Sequence, residues 1–221
     1  MPDTPKKYTV ALKRYTGLRA VWPPTSKWKL GDYVVRDRGF FHRIGNITTD
    51  FGIDAESSEG PPLEIHFQTS KVYITKIEAG AKVDEFTDNL GAEAKLKLKF
   101  KGNYSFFMHS KPAVSAAIDA KSQLGSQIAD KIEKWRHKDW FVISEVYRVD
   151  SFVLLANETR EKDIEIKGNV GTVTTFLRGS VAPEVRISSL AGMGLKIVGN
   201  QSGPIAIELF RVKKDGDIDF V

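Results

Sequence analysis

Residues 92 to 101 read Ala-Glu-Ala-Lys-Leu-Lys-Leu-Lys-Phe-Lys, with an apolar residue at every even position. The odd positions hold Glu93 and then Lys95, Lys97, Lys99 and Lys101. Successive side chains of a β-strand point to opposite faces, so the pattern specifies a strand with Leu96, Leu98 and Phe100 on one side and the lysines on the other. A helix would scatter those lysines around its circumference. Such a strand serves one of two ends: a sheet with one packed and one wet face, or a hairpin that turns its apolar side to lipid.

The 221 residues suffice for one well-cored domain, and a single α+β domain over 1–221 is the expectation. The composition, 41% hydrophobic and 28% charged, fits a folded globular chain and leaves no apolar run of transmembrane-helix length. Met1 to Lys7 contains no apolar signal core, so a cytoplasmic location, membrane-associated on activation, is expected. The absence of cysteine removes thiol nucleophiles, thiolate metal sites and disulfides. The net charge of +5 is blocked: residues 1–43 carry +7, 44–94 carry −7, 95–138 carry +7 and the remainder −2. Such blocks either pair with one another in the fold or leave a basic face for anionic lipid or nucleic acid.

Along the chain, Val10–Leu12 and Leu18–Trp22 read as short extended pieces, stopped by Pro23 and Pro24. Tyr33–Val35 and Phe40–Phe41 form a hairpin pattern. Leu63, Ile65 and Phe67 alternate, Val72–Ile77 continues as strand, and a turn at Asp88–Gly91 joins it to the lysine-rich strand. Lys111-Pro112 opens a predicted helix whose mostly apolar stripe is Val114, Ile118, Lys121, Gly125, Ile128 to Ile132 and Trp135, with Ala113, Ala116, Ala117, Ala120 and Ser122 keeping it slim. Trp140–Val149 is a central-strand pattern that returns through Asp150-Ser151 into Phe152–Ala156. Ile164 and Ile166, Val173–Leu177, Glu184–Ser188, Leu195–Val198 and Ile205–Val212 complete the strands. The fold class is α+β: a large, twisted, mainly antiparallel sheet with one long amphipathic helix.

No reaction is declared. The four histidines are dispersed, and neither a G-x-S-x-G elbow nor a P-loop occurs. Gly192-Met193-Gly194 lacks the third glycine of a dinucleotide site. Asp215, Asp217 and Asp219 begin like a calcium loop, but no bidentate acid follows, and the segment reads as a turn with a solvated tail. Asp139 and Glu145 flank a strand with nothing to show convergence. The chain therefore reads as non-enzymatic, with no metal and no small-molecule cofactor.

Two segments resemble the gasdermin pore-forming domain, in that family's order. Leu12-Lys13-Arg14-Tyr15, Trp22-Pro23-Pro24-Thr25 and Leu30-Gly31-Asp32 are similar to its basic strand, its W-x-P-x-x-P-T-like stretch and the leucine and aspartate that follow. The helix ending at Trp135, with Trp140-Phe141-Val142-Ile143-Ser144-Glu145-Val146, is similar to its helix and V-V-T-E-V-like strand. The resemblance implies a twisted sheet with two extendable hairpins, here 63–104 and 140–167, basic patches that bind acidic lipid, homo-oligomeric rings and refolding into a β-barrel. It gives the strand Lys95, Leu96, Lys97, Leu98, Lys99, Phe100 and Lys101 a membrane-spanning role. It gives Lys13, Arg14, Arg19, Trp22, Lys27, Trp28 and Lys29 a lipid-binding one. A cation near an anionic surface is worth about 1 kcal/mol, and tryptophan prefers the headgroup layer. A basic strand edge that blocks aggregation has the same composition. Against the family's pattern these residues are expected to hold no separate inhibitory domain, cleavable linker or N-terminal cysteine, so any autoinhibition would have to come from Ile205–Val221.

A soluble module that binds another protein through its sheet face or helix is the alternative reading. Nucleic-acid binding is the third, with Tyr104, Phe106 and Phe107 stacking bases beside Lys99, Lys101 and Lys111. No nucleic-acid-binding signature is visible and the acidic middle block interrupts any basic track, so nucleic acid is a disfavoured partner.

Overall fold

The computed structural model describes residues 4–24, 26–37, 40–79, 93–131, 133, 135, 139–158, 161–178, 186–188, 193–199 and 202–221. The elements begin with α1 (Thr4–Thr16), β1 (Arg19–Ala20), β2 (Asp32–Asp37), β3 (Phe40–Asn46), α2 (Ile47–Phe51), β4 (Ser57–Glu59), β5 (His66–Gln68) and β6 (Val72–Ala79). Then come β7 (Glu93–Lys101), β8 (Ser105–Ser110), β9 (Val114–Ile118), α3 (Lys121–Lys131), β10 (Trp140–Val149), β11 (Phe152–Asn157) and β12 (Glu161–Asn169). The last are α4 (Val170–Leu177), β13 (Arg186–Ser188), β14 (Met193–Gly199), β15 (Gly203–Val212) and β16 (Ile218–Phe220). The fold is α+β with large antiparallel sheets and few helices. The chain forms two compact units, one of Met1–Gly17, Glu64–Pro112 and Val149–Ser202, the other of Leu18–Leu63, Ala113–Arg148 and Gly203–Val221.

The first unit contains two four-stranded sheets, ordered β13-β12-β7-β6 and β14-β11-β8-β5. Continuous apolar strands belong where both faces are covered. On one face of the second sheet, Phe107, Val153 and Leu155 pack with Leu96, Leu98, Phe100, Ile164 and Ile166 of the first, and with Val173 and Phe176 of α4. On its other face Phe106 meets the Tyr8 ring at 5.7 Å, and the Tyr8 hydroxyl donates to Met108 Sδ at 3.3 Å.

Three expectations change in this unit. Val10–Leu12 lies in α1, because Thr4, Tyr8 and Leu12 repeat every four residues as its buried stripe while Val10 is 60% exposed. Val173–Leu177 lies in α4, where Val173 and Phe176, three apart, share one buried face. Its β-branched residues suggest a strand, and packing overrides that preference. The segment 140–167 is not a hairpin: β11 pairs with β8 and β14, whereas β12 pairs with β7 and β13. A strand buried on both faces needs a central place, and the half-polar β12 needs a wet face. The 63–104 segment keeps its β6–β7 pairing, with a register shift between Ile74 and Lys76, and the turn expected at Asp88–Gly91 lies outside the described residues.

In the second unit β15, β10 and β2 form the centre of an eight-stranded sheet. The first half of β10 pairs with β2 and its second half with β9. One face carries Val21, Trp28, Val34, Phe141, Ile143, Val146, Ile207 and Leu209. The other packs Val142, Phe210 and Val212 against Ile47, Leu124, Ile128 and Trp135. The helix expected from Lys111 starts only at Lys121, since residues 114–118 are a strand bonded to β10 on one side and β4 on the other. The alanines there favour a helix locally, and pairing on both edges wins. Within α3, a Cβ on Gly125 would stand 2.5 Å from the Gly216 carbonyl oxygen, so the turn before β16 requires a glycine opposite it.

The C-terminal segment is also more than a tail. Ile205, Ala206 and Phe210 are fully buried, and β15 lies inside the sheet. Truncation at Gly203 would therefore remove a structural strand, and an autoinhibitory cap does not describe it. The Lys214–Asp217 turn forms as expected, with Lys213 N donating to Asp217 O at 2.7 Å, but it closes a β15–β16 hairpin.

A buried polar knot joins β2 to α2. The Asp32 carboxylate, fully buried, accepts from Asn46 Nδ2 and Lys29 N at 2.9 Å each and pairs with Arg43 Nε at 3.0 Å. Asn46 Oδ1 accepts from Thr48 N and caps α2. Asp32→Ala leaves these donors without their acceptor, and we expect a loss of about 3 kcal/mol. Urea unfolding of the variant against the parent chain checks this, and a loss below about 1 kcal/mol would refute the knot's structural weight.

Candidate functional site

The lysine-rich strand lies between two amphipathic neighbours. Ala94, Leu96, Leu98 and Phe100 of β7 are no more than 2% exposed, as are Val72 of β6 and Ile164 and Ile166 of β12. On the opposite face the β7–β12 register sets Lys101 against Glu161, Lys99 against Asp163 and Lys97 against Glu165. Lys95 faces Lys167, a like-charge pair that Glu165 relieves. Lys167 Nζ approaches Glu165 Oε2 at 2.7 Å and Lys97 Nζ approaches Oε1 at 3.8 Å. The hydrogen bond from Lys167, helped by the charges of Lys167, Lys97 and Lys95, holds the Glu165 carboxyl below the usual range. Lys101 lies 5.2 Å from the centre of the exposed Tyr73 ring. The lysine face is thus a charge ladder, which the sequence announces only when Glu161, Asp163 and Glu165 are set against the lysines at the same period of two.

The N-terminal basic and aromatic residues are spread over both units. Lys13 and Arg14 are exposed in the last turn of α1, where cations suit the helix dipole. Arg19 on β1 is half-buried, donates from Nε to Val221 O at 2.7 Å and stands 5.9 Å from the Phe41 ring. Burial, and then the Arg36 charge, lower its pKa. Trp22 is half-buried, and Lys27 and Lys29 are exposed. Trp28 between them is a core residue, and its carbonyl accepts from Arg148 Nη2 at 2.7 Å.

Phe106 and Phe107 are buried on opposite faces of β8, so no base-stacking platform forms there. Among the described residues no group of three His, Asp or Glu could hold a metal ion, and no helix is long and apolar enough to cross a membrane.

One carboxylate pair escapes the sequence reading. Glu145 meets Glu208 of the neighbouring β15, not Asp139, and the two carboxyls share a hydrogen bond. Burial, and then the Glu145 charge, raise the Glu208 pKa. Burial, with Glu145 and Glu208, also raises that of the Tyr147 hydroxyl. Only the folded register of β10 and β15 creates this contact. Because its folded pKa is raised, Glu208 contributes stability that is present below its unfolded pKa and lost as pH rises through the folded one. Glu208→Gln, with no proton to lose, should be more stable than the parent at neutral pH, with the difference shrinking as pH falls toward about 4. Thermal melts across that range test this, and a uniform loss at every pH would contradict it.

No family model and no curated protein matches the chain. Among solved structures it is similar to that of a bacterial gasdermin from Bradyrhizobium tropiciagri, with 14% identity, 96% of this chain and 90% of that chain covered, and a TM-score of 0.44.

Proposed function

We propose that this protein is membrane-active, of the pore-forming type, and acts without catalysis. One observation carries the reading: β6, β7 and β12, of eight, nine and nine residues, form an antiparallel ribbon with one apolar and one charged face. A membrane-spanning β-strand needs about 9–11 residues with the same division. The apolar face that now packs on Phe107, Val153 and Leu155 would pack on lipid instead, while the β7–β12 charge ladder keeps its partners on the aqueous side. The sequence resemblance to gasdermins supports the same reading.

In this scheme the exposed Lys13, Arg14, Lys27 and Lys29 make first contact with acidic lipid, with Trp22 beside them in the chain. Arg19 and Trp28, occupied in the folded protein, join only when their segment moves. Homo-oligomers form at the membrane from a cytoplasmic monomer. In this scheme 1–221 is kept as one domain, since each unit is built from three separate stretches of the chain.

The lack of cysteine allows single labels. Ile74 and Tyr73 are adjacent on β6, 42% and 47% exposed, and pair with Leu98 and Lys99 respectively. On phosphatidylserine vesicles the protein should release trapped dye. An environment-sensitive probe on Ile74→Cys should shift to the blue and be quenched by a lipid-borne quencher, while one on Tyr73→Cys should remain aqueous. Neither binding nor leakage at low salt would overturn the proposal. A stable complex with another protein and no lipid effect would favour the soluble interaction module.

A further inference from the structure

The first unit holds a cavity of about 650 Å³ lined by Glu64, His66, Ser110, Lys111, Thr175 and Arg178. Two basic side chains, Lys111 from the end of β8 and Arg178 after α4, line it together with one carboxylate, Glu64. His66 and His109 are opposed across β5 and β8, with ring centres 4.7 Å apart. Behind them, the His109 ring stacks on Phe107 at 4.4 Å, and its Nδ1 is bonded to the Leu177 carbonyl at the end of α4. Burial is the main cause of a lowered His109 pKa, opposed by its bond to Leu177 and reinforced by His66. Ser110 N donates to His66 Nδ1 at 3.4 Å, which leaves Nε2 as the ring's donor. That nitrogen lies 3.5 Å from Glu64 Oε2. An anionic oxygen is therefore already set against this imidazole.

We propose that this cavity binds a phosphate monoester. The guanidinium fork of Arg178 suits two phosphate oxygens, Lys111 adds a point charge, and His66 Nε2–H and the Thr175 hydroxyl supply neutral donors. A dianion matches the two basic side chains. Glu64, 72% exposed at its side chain, is free to swing out as the ligand takes its place beside His66. The site stands apart from the membrane reading and survives or fails without it. The phosphate belongs either to a soluble metabolite or to a lipid headgroup.

The experiment titrates the whole protein with glycerol phosphate, a soluble monoester dianion, by calorimetry, following the His66 ring by NMR. Saturable binding should shift the His66 resonances. Lys111→Gln and Arg178→Gln, both at exposed positions, should each weaken binding about tenfold without changing the melting temperature. Glu64→Gln should tighten it by removing the competing carboxylate. Vesicles with phosphatidic acid, a monoester, are then compared with vesicles carrying phosphatidylserine, a diester. Preference for the former, competed by glycerol phosphate, assigns a lipid headgroup, and glycerol phosphate binding without vesicle binding assigns a soluble ligand. No saturable binding up to about 10 mM, or binding indifferent to both Lys111→Gln and Arg178→Gln, would overturn the proposal.

Discussion

Leu96, Leu98 and Phe100 are completely buried because Phe107, Val153 and Leu155 stand across from them, and the first unit depends on that contact. It forces β8 and β11 into the middle, covered on their other face where Phe106 meets Tyr8 of α1. It draws Val173 and Phe176 into the same core and so makes a helix of a segment with strand-like composition. It also takes the apolar face of the amphipathic ribbon out of water, since that face has a protein partner. Burying one large aliphatic or aromatic side chain is worth about 1.5–3 kcal/mol, so releasing this ribbon needs an equally apolar replacement surface.

The lysines of β7 have a different physical meaning in the fold from the one they suggest alone. Unpaired, they would make a cationic stripe. Against Glu161, Asp163 and Glu165 they form a row of exposed pairs, each worth less than about 1 kcal/mol but together strict about register. A slip of one residue would turn charges inward and leucines outward. The ladder thus specifies which strand lies beside β7 more than it stabilises the sheet.

In the second unit the corresponding constraint is β10, whose two halves serve different neighbours. Phe141, Ile143 and Val146 share one cluster, a break in the period of two where pairing passes from β2 to β9. That exchange lets the sheet widen to eight strands around one central chain segment. The same register brings Glu145 beside Glu208 and leaves a carboxyl that holds its proton above the ordinary range.

In β7 and β12, where polar and apolar residues alternated, the sequence by itself determined strand and face, because side-chain direction follows from backbone geometry alone. It likewise determined the α+β class and the Lys214–Asp217 turn. It did not determine what Ala113–Ile118 or Val173–Leu177 would become, since small and β-branched residues suit either element and the neighbours decide. Which strands pair, the ladder opposite the lysines, the burial of Trp28, the Glu145–Glu208 contact and the cavity beside His66 were decided by tertiary structure. Each joins residues far apart in the chain, and no local pattern encodes a distance that only closure of the sheets creates.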